Sequence, residues 1–203
     1  MSKQKGFALV ELLVAMFILV SIGAVSAWFA RNVIVYNASS HDSLVAQLEG
    51  RRVIKTMVQE LRTTFPSAFG SYPIESVSGD SIVFYADISG GSDTERVRYF
   101  LDTPTRTLRK GVTALSGNPP VYDTQNETLF TLITEVANDP STPVFEYFDA
   151  DYAGTTTPLA LPADISQIRL VKINVLVDKD PNRSPNTIQL SSQVSLRNLK
   201  DNL

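Results

Sequence analysis

Ser40, His41 and Asp42 place a hydroxyl, an imidazole and a carboxylate in three consecutive positions. A catalytic triad needs those groups to converge on one reacting atom, and consecutive helical residues point in different directions. His41 is the sole histidine in 203 residues, so it is read as a solvent-facing helix position, and no multi-histidine metal site can be built. The absence of cysteine excludes disulfides, thiolate zinc sites and thiol nucleophiles. Gly90-Gly91 is followed by no Lys-Ser/Thr and stands between strand-like stretches, so it is not a phosphate loop. Acidic groups cluster at Asp87, Asp93 and Glu95, at Asp149 and Asp151, and at Asp178 and Asp180. Calcium takes about six to eight oxygens. None of these clusters has EF-hand spacing, and Asp beside Gly and Pro is an ordinary turn former. Tyr147, Phe148 and Tyr152 are read as core side chains rather than a binding patch. The formal net charge of −3 argues against a nucleic-acid partner, which would call for a basic stripe.

Glu11 has a different setting. It is the only charged residue between Phe7 and Ala30, a run that Ser21, Gly23 and Ser26 alone soften. About 20 apolar residues suffice to cross a bilayer as a helix. A carboxylate inside such a run costs on the order of 2.5–3.5 kcal/mol by insertion scales, so Glu11 is expected to meet a cationic partner in an assembly. Lys3 and Lys5 precede the run, and positive residues stay on the cytoplasmic side, so the bulk of the chain is expected outside the inner membrane, anchored by a single pass. An ordinary secretory signal cut after Val25-Ser26-Ala27 would instead release a chain starting at Trp28. The length of the run and the acid within it weigh against that.

The elements behind the run follow from periodicity. No proline occurs before Pro66, so a helix starting near Phe7 meets no obligatory stop until then. Leu44, Leu48, Ile54, Met57, Val58, Leu61 and Phe65 recur at three- and four-residue steps, and this stripe is expected to face the domain core. Strands are expected at 82–87, 96–101, 107–110 and 144–148. The clearest β signals are 167–177 and 187–197, where alternate apolar residues mark a half-buried antiparallel pair. Residues 128–136 suit either a strand or a short helix, and 149–162 suits an exposed loop. The fold class is α+β: a long N-terminal helix, transmembrane in its first half, packed on an antiparallel β-sheet.

Lys5-Gly6-Phe7, Glu11 and the unbroken apolar run resemble the leader and N-terminus of type IV prepilins and type II secretion pseudopilins. The resemblance implies a pilin-like fold and a leader, residues 1–6, cut by a prepilin peptidase between Gly6 and Phe7. Phe7 would then be N-methylated, and Glu11, fifth in the mature chain, would support assembly. The divisions implied are 7–30 as transmembrane and assembly helix, 31–65 as its amphipathic continuation, and 66–203 as a β-rich periplasmic or extracellular domain. Phe7 and Glu11 are four apart and share a helix face, so the freed amine of an incoming subunit can meet a neighbour's Glu11. Ser81 to Asp87, Arg96 to Leu101 and Val194 to Leu199 resemble the PilW group of minor pilins and the J-type minor pseudopilins. That likeness implies a non-enzymatic subunit that primes a fibre and sits at its tip. Its partners would be other minor subunits, the major subunit and an inner-membrane assembly platform. No cofactor is expected. Some pseudopilins hold calcium in acidic loops, which makes calcium the ligand to test. The alternative is a membrane-anchored or secreted binding module with no fibre role.

Overall fold

The structure, a computed structural model, describes residues 9–91, 93–178 and 187–196, with the backbone alone for 34–43. The chain forms two compact units, Met1–Val45 and Ala46–Leu203.

The described part of the first unit is helical. Helix α1 runs Leu9–Arg62, and its segment Leu9–Val33 is long and apolar enough to cross a membrane. Large side chains from Leu9 through Phe17 to Trp28 stand exposed around the segment. An all-round apolar helix of this kind is stable only with lipid or other helices about it. Ser21 donates its hydroxyl to the Phe17 carbonyl at 2.8 Å, which satisfies its polar group inside the helix.

The second unit contains the last turns of α1 and the β structure. Ala46, Ile54, Met57, Val58 and Leu61 are buried at the spacing of one helix face. Full burial of a side chain such as Met57 or Leu61 contributes about 1.5–3 kcal/mol. The expected stripe is corrected at three places: Leu44, Leu48 and Phe65 are exposed, Leu48 at 69%. The true buried face passes through Ala46 and Gly50, and at Gly50 the helix lies too close to Leu190 for a side chain to fit. Phe65 falls outside because α1 has already ended at Arg62. Thr64 caps the turn through its hydroxyl to the Leu61 carbonyl at 2.6 Å, and Pro66 holds the preceding residue out of helical backbone.

Five strands form one antiparallel sheet in the order β1-β2-β3-β4-β7: β1 Ile74–Val77, β2 Ser81–Ala86, β3 Glu95–Asp102, β4 Thr107–Thr113 and β7 Thr128–Ile133. The short hairpin β5 Leu115–Ser116 and β6 Val121–Tyr122 lies between β4 and β7 in sequence. A second sheet runs in the order β10-β9-β8, from β8 Phe145–Phe148, β9 Leu170–Val177 and β10 Ile188–Ser195. The expected meander corresponds to β2, β3 and β4, and the strongest alternating pair to β9 and β10, registered Val175 to Leu190 and Val171 to Val194. β1 was not expected from sequence, and 128–133 is strand because β4 offers it a partner.

The two sheets share one core. Phe84, Tyr99, Leu108, Phe145, Ile173 and Val194 join Ile54, Met57, Val58 and Leu61 of α1 in a single cluster. Tyr147 on β8 donates its hydroxyl to the carbonyls of Ser78 and Ser81 at 2.9 and 3.0 Å, pinning the second sheet to the β1–β2 turn. Burial pushes the Tyr147 hydroxyl well above its usual pKa. Arg106 takes a left-handed backbone, φ 52°, which few residues other than Gly adopt without cost. The position is held by its guanidinium, which donates to the carbonyls of Val136 and Asp178 at 3.1 and 3.4 Å.

Candidate assembly surfaces

Of the residues singled out for processing and assembly, Gly6 and Phe7 lie outside the described residues. Glu11 stands in the first turn of α1 and is exposed, flanked by exposed Leu9, Val10, Leu12 and Leu13. Among the described residues no cationic group lies within ion-pair distance of it. The carboxylate thus sits on an apolar surface without a partner among the described residues, and a charge buried against such a surface is costly until an opposite charge meets it. The side chain of His41 lies outside the description.

Two of the three acidic loops carry local hydrogen bonds on their carboxylates. Asp87 accepts from the Gly90 amide at 2.7 Å and Glu95 from the Ile88 amide at 3.0 Å, closing the β2–β3 turn. Gly90 has φ +74°, so this turn needs its glycine. Asp149 accepts from the Asp151 amide at 3.0 Å, and Asp180 lies outside the description. Among the described residues no group of three metal-ligating side chains converges. Tyr147 and Phe148 are core residues, and Tyr152 packs on Phe148 with ring centres 4.4 Å apart.

The five-stranded sheet has a charged outer face in which each cation is paired. Arg96 grips Glu75 with two hydrogen bonds of 2.7 Å, and Tyr85 donates to the same carboxylate at 2.7 Å. Burial opposes the Glu75 charge, but Arg96 and Tyr85 outweigh it and hold its pKa below the usual value. Burial, then the bond to Glu75, pushes Tyr85 up to about 12. Arg98 pairs with Glu127 and lies 3.9 Å above the Phe100 ring centre. These contacts are closed within the chain, so the outer face offers compensated charge rather than a free binding field.

The helix-side face differs. Lys110 on β4 and Tyr99 on β3 both donate to Glu60 on α1, each at 2.6 Å. Burial, then the charge of Glu60, raises the Tyr99 pKa, so it serves as a permanent donor. Beside this trio a groove of about 390 Å³ opens between α1 and β7, lined by Arg52, Val53, Met57, Lys110, Phe130 and Leu132 among others. Sequence reasoning missed this groove. Its signal was the uncharged run Thr128 to Ile133, which carries too many apolar residues for one face.

The described residues thus combine an exposed apolar helix carrying one acid with an α+β domain of pilin-like fold, and no curated protein matches the chain. Residues 1–27 match the family described as the prokaryotic N-terminal methylation motif, which supports a type IV pilin-like protein, a membrane-anchored structural subunit that associates with other pilus subunits.

Proposed function

We propose that this chain is a minor pilin or minor pseudopilin that primes assembly and forms the tip of a type IV pilus or a type II secretion pseudopilus. In this reading prepilin peptidase cuts between Gly6 and Phe7, Phe7 is N-methylated, and Glu11 neutralises the freed amine of a neighbouring subunit. Before extraction the protein is held in the inner membrane by one pass, with its N-terminus cytoplasmic and residues 66–203 outside. The observation that carries the reading is the match of residues 1–27 to the methylation motif, overlapping a helix whose exposed apolar surface holds one carboxylate with no partner among the described residues. The subunit performs no chemistry. Its work is to present surfaces to other subunits, and the energy of assembly is supplied elsewhere.

Mass spectrometry of the protein from its native membrane tests the processing step. The expected product begins at Phe7 and carries one added methyl group, and it keeps the leader when the peptidase gene is deleted. A chain beginning at Trp28 would be a secreted protein and would end the proposal. The minor role is tested separately by quantifying the chain in purified fibres, where it is expected far below the major subunit.

A further inference from the structure

Strand β7 is an open edge of an unusual kind. It pairs with β4 on one side, and among the described residues no strand pairs with the other. The edge at β1 is approached by the turn Ile165–Gln167, and the outer side of β8 receives the Leu159 amide on the Tyr147 carbonyl at 2.8 Å. β10 also ends a sheet, but its exposed residues are the polar Gln189, Ser191, Gln193 and Ser195. β7 reads Thr-Leu-Phe-Thr-Leu-Ile with no charge and no proline, and Leu129 and Phe130 are 48% and 49% exposed on its two faces. An apolar, uncharged edge strand is a template for pairing that soluble domains normally blunt.

The groove beside it indicates what covers it. Its floor is apolar, from Val53, Met57, Phe130 and Leu132, while Arg52 stands at its rim without an anionic partner among the described residues. Lys110 in the wall engages Glu60, so among the described residues Arg52 is left as the uncompensated charge of the groove. We propose that β7 is completed by an extended segment of a neighbouring subunit other than a second copy of this chain, whose groove-facing side chains include an apolar residue and, two places along, a carboxylate that pairs with Arg52. Main-chain hydrogen bonds to the open edge supply the hold, and the alternate side chains entering the groove supply the selection. This rests on the reading of the chain as an assembling subunit and names one of the surfaces it would use.

The test uses the full chain in dodecylmaltoside micelles and two blocked heptapeptides, Thr-Val-Thr-Leu-Thr-Glu-Thr and the same peptide with Lys in place of Glu. The acidic peptide is expected to slow amide hydrogen exchange at Thr128 to Leu132 and to bind about tenfold more tightly than the lysine peptide. Arg52→Glu, an exposed substitution, is expected to reverse that preference. Equal affinity for the two peptides, protection at β10 instead, or no protection at millimolar peptide overturns the proposal. Concentration-dependent protection of β7 in the peptide-free protein also overturns it, because a second copy would then be the occupant. None of these outcomes depends on where the mature chain begins, so this inference and the processing step can fail independently.

Discussion

Gly50 on α1 lies so close to Leu190 on β10 that a Cβ added at the glycine would occupy the space of the Leu190 Cδ1 methyl. The helix can rest on the second sheet only because residue 50 has no side chain. Gly50→Val is therefore expected to destabilise the second unit by about 1–3 kcal/mol through overpacking. Leu190→Ala in the same chain should recover part of that loss, since the two changes share one space. Chemical denaturation of the full chain in detergent, followed by near-ultraviolet circular dichroism, measures both. A fully additive double variant would mean the two residues do not meet.

Glu60 and Lys110 form an ion pair whose side chains are only 14% and 13% exposed. Removing one partner leaves the other charge nearly buried, at an expected cost of about 3 kcal/mol. Lys110→Met is the sharper variant, because among the described residues Glu60 then keeps only the Tyr99 hydroxyl as a side-chain partner. The double variant with Glu60→Gln is expected to regain most of the loss. Comparing the two denaturation midpoints separates a requirement for the charge pair from a simple requirement for side-chain volume.

Asp139 lies in the turn before β8 and accepts four hydrogen bonds through Oδ1, from the hydroxyls and amides of Ser141 and Thr142. The Ser141 hydroxyl, then that of Thr142, holds its pKa down to about 2 from the ordinary 3.8. A depressed carboxyl pKa favours the folded state above the unfolded value and loses that contribution as pH falls through the folded one. The turn is thus expected to hold at pH 4 and loosen as pH approaches about 2. Carbon-detected NMR titration of the Asp139 carboxyl gives the midpoint directly. A midpoint near 3.8 would mean the four bonds do not form in solution.

The strands were legible where one face is buried and the other wet. In β9 the buried Val171, Ile173, Val175 and Val177 alternate with half-buried Lys172, Asn174 and Leu176, and in β10 Leu190 and Val194 stand among polar neighbours, so a period of two is plain. β7 was ambiguous because Leu129, Phe130, Leu132 and Ile133 are apolar on both faces, and only pairing with β4 decides its state. The core face of α1 was misread at Leu44 and Leu48 because spacing rewards large residues. The residues buried there are Ala46 and Gly50, and Gly50 meets Leu190 because it is small. β1 escaped notice because Ile74 to Val77 is short and half polar. At the N-terminus Glu11 was conspicuous at once, since one acid within a long apolar run has no structural reason of its own.

That acid carries the last prediction. Glu11 lies on an exposed apolar helix with no cation of its own chain in reach among the described residues. If its partner is the amine of another subunit, Glu11→Leu removes an attraction that exists only in the fibre. Membrane insertion loses nothing, because leucine improves the transfer of the segment into lipid by about 3 kcal/mol. The variant is therefore expected to reach the membrane at normal abundance and lose its leader normally, but to be depleted from sheared fibres by about tenfold or more, as for the loss of roughly 1.4 kcal/mol of pairing energy. Glu11→Gln should lie between, since an amide can accept a hydrogen bond from the amine but offers no charge. Immunoblots of membrane and fibre fractions distinguish the outcomes. Equal incorporation of Glu11→Leu would leave the carboxylate without an assembly role.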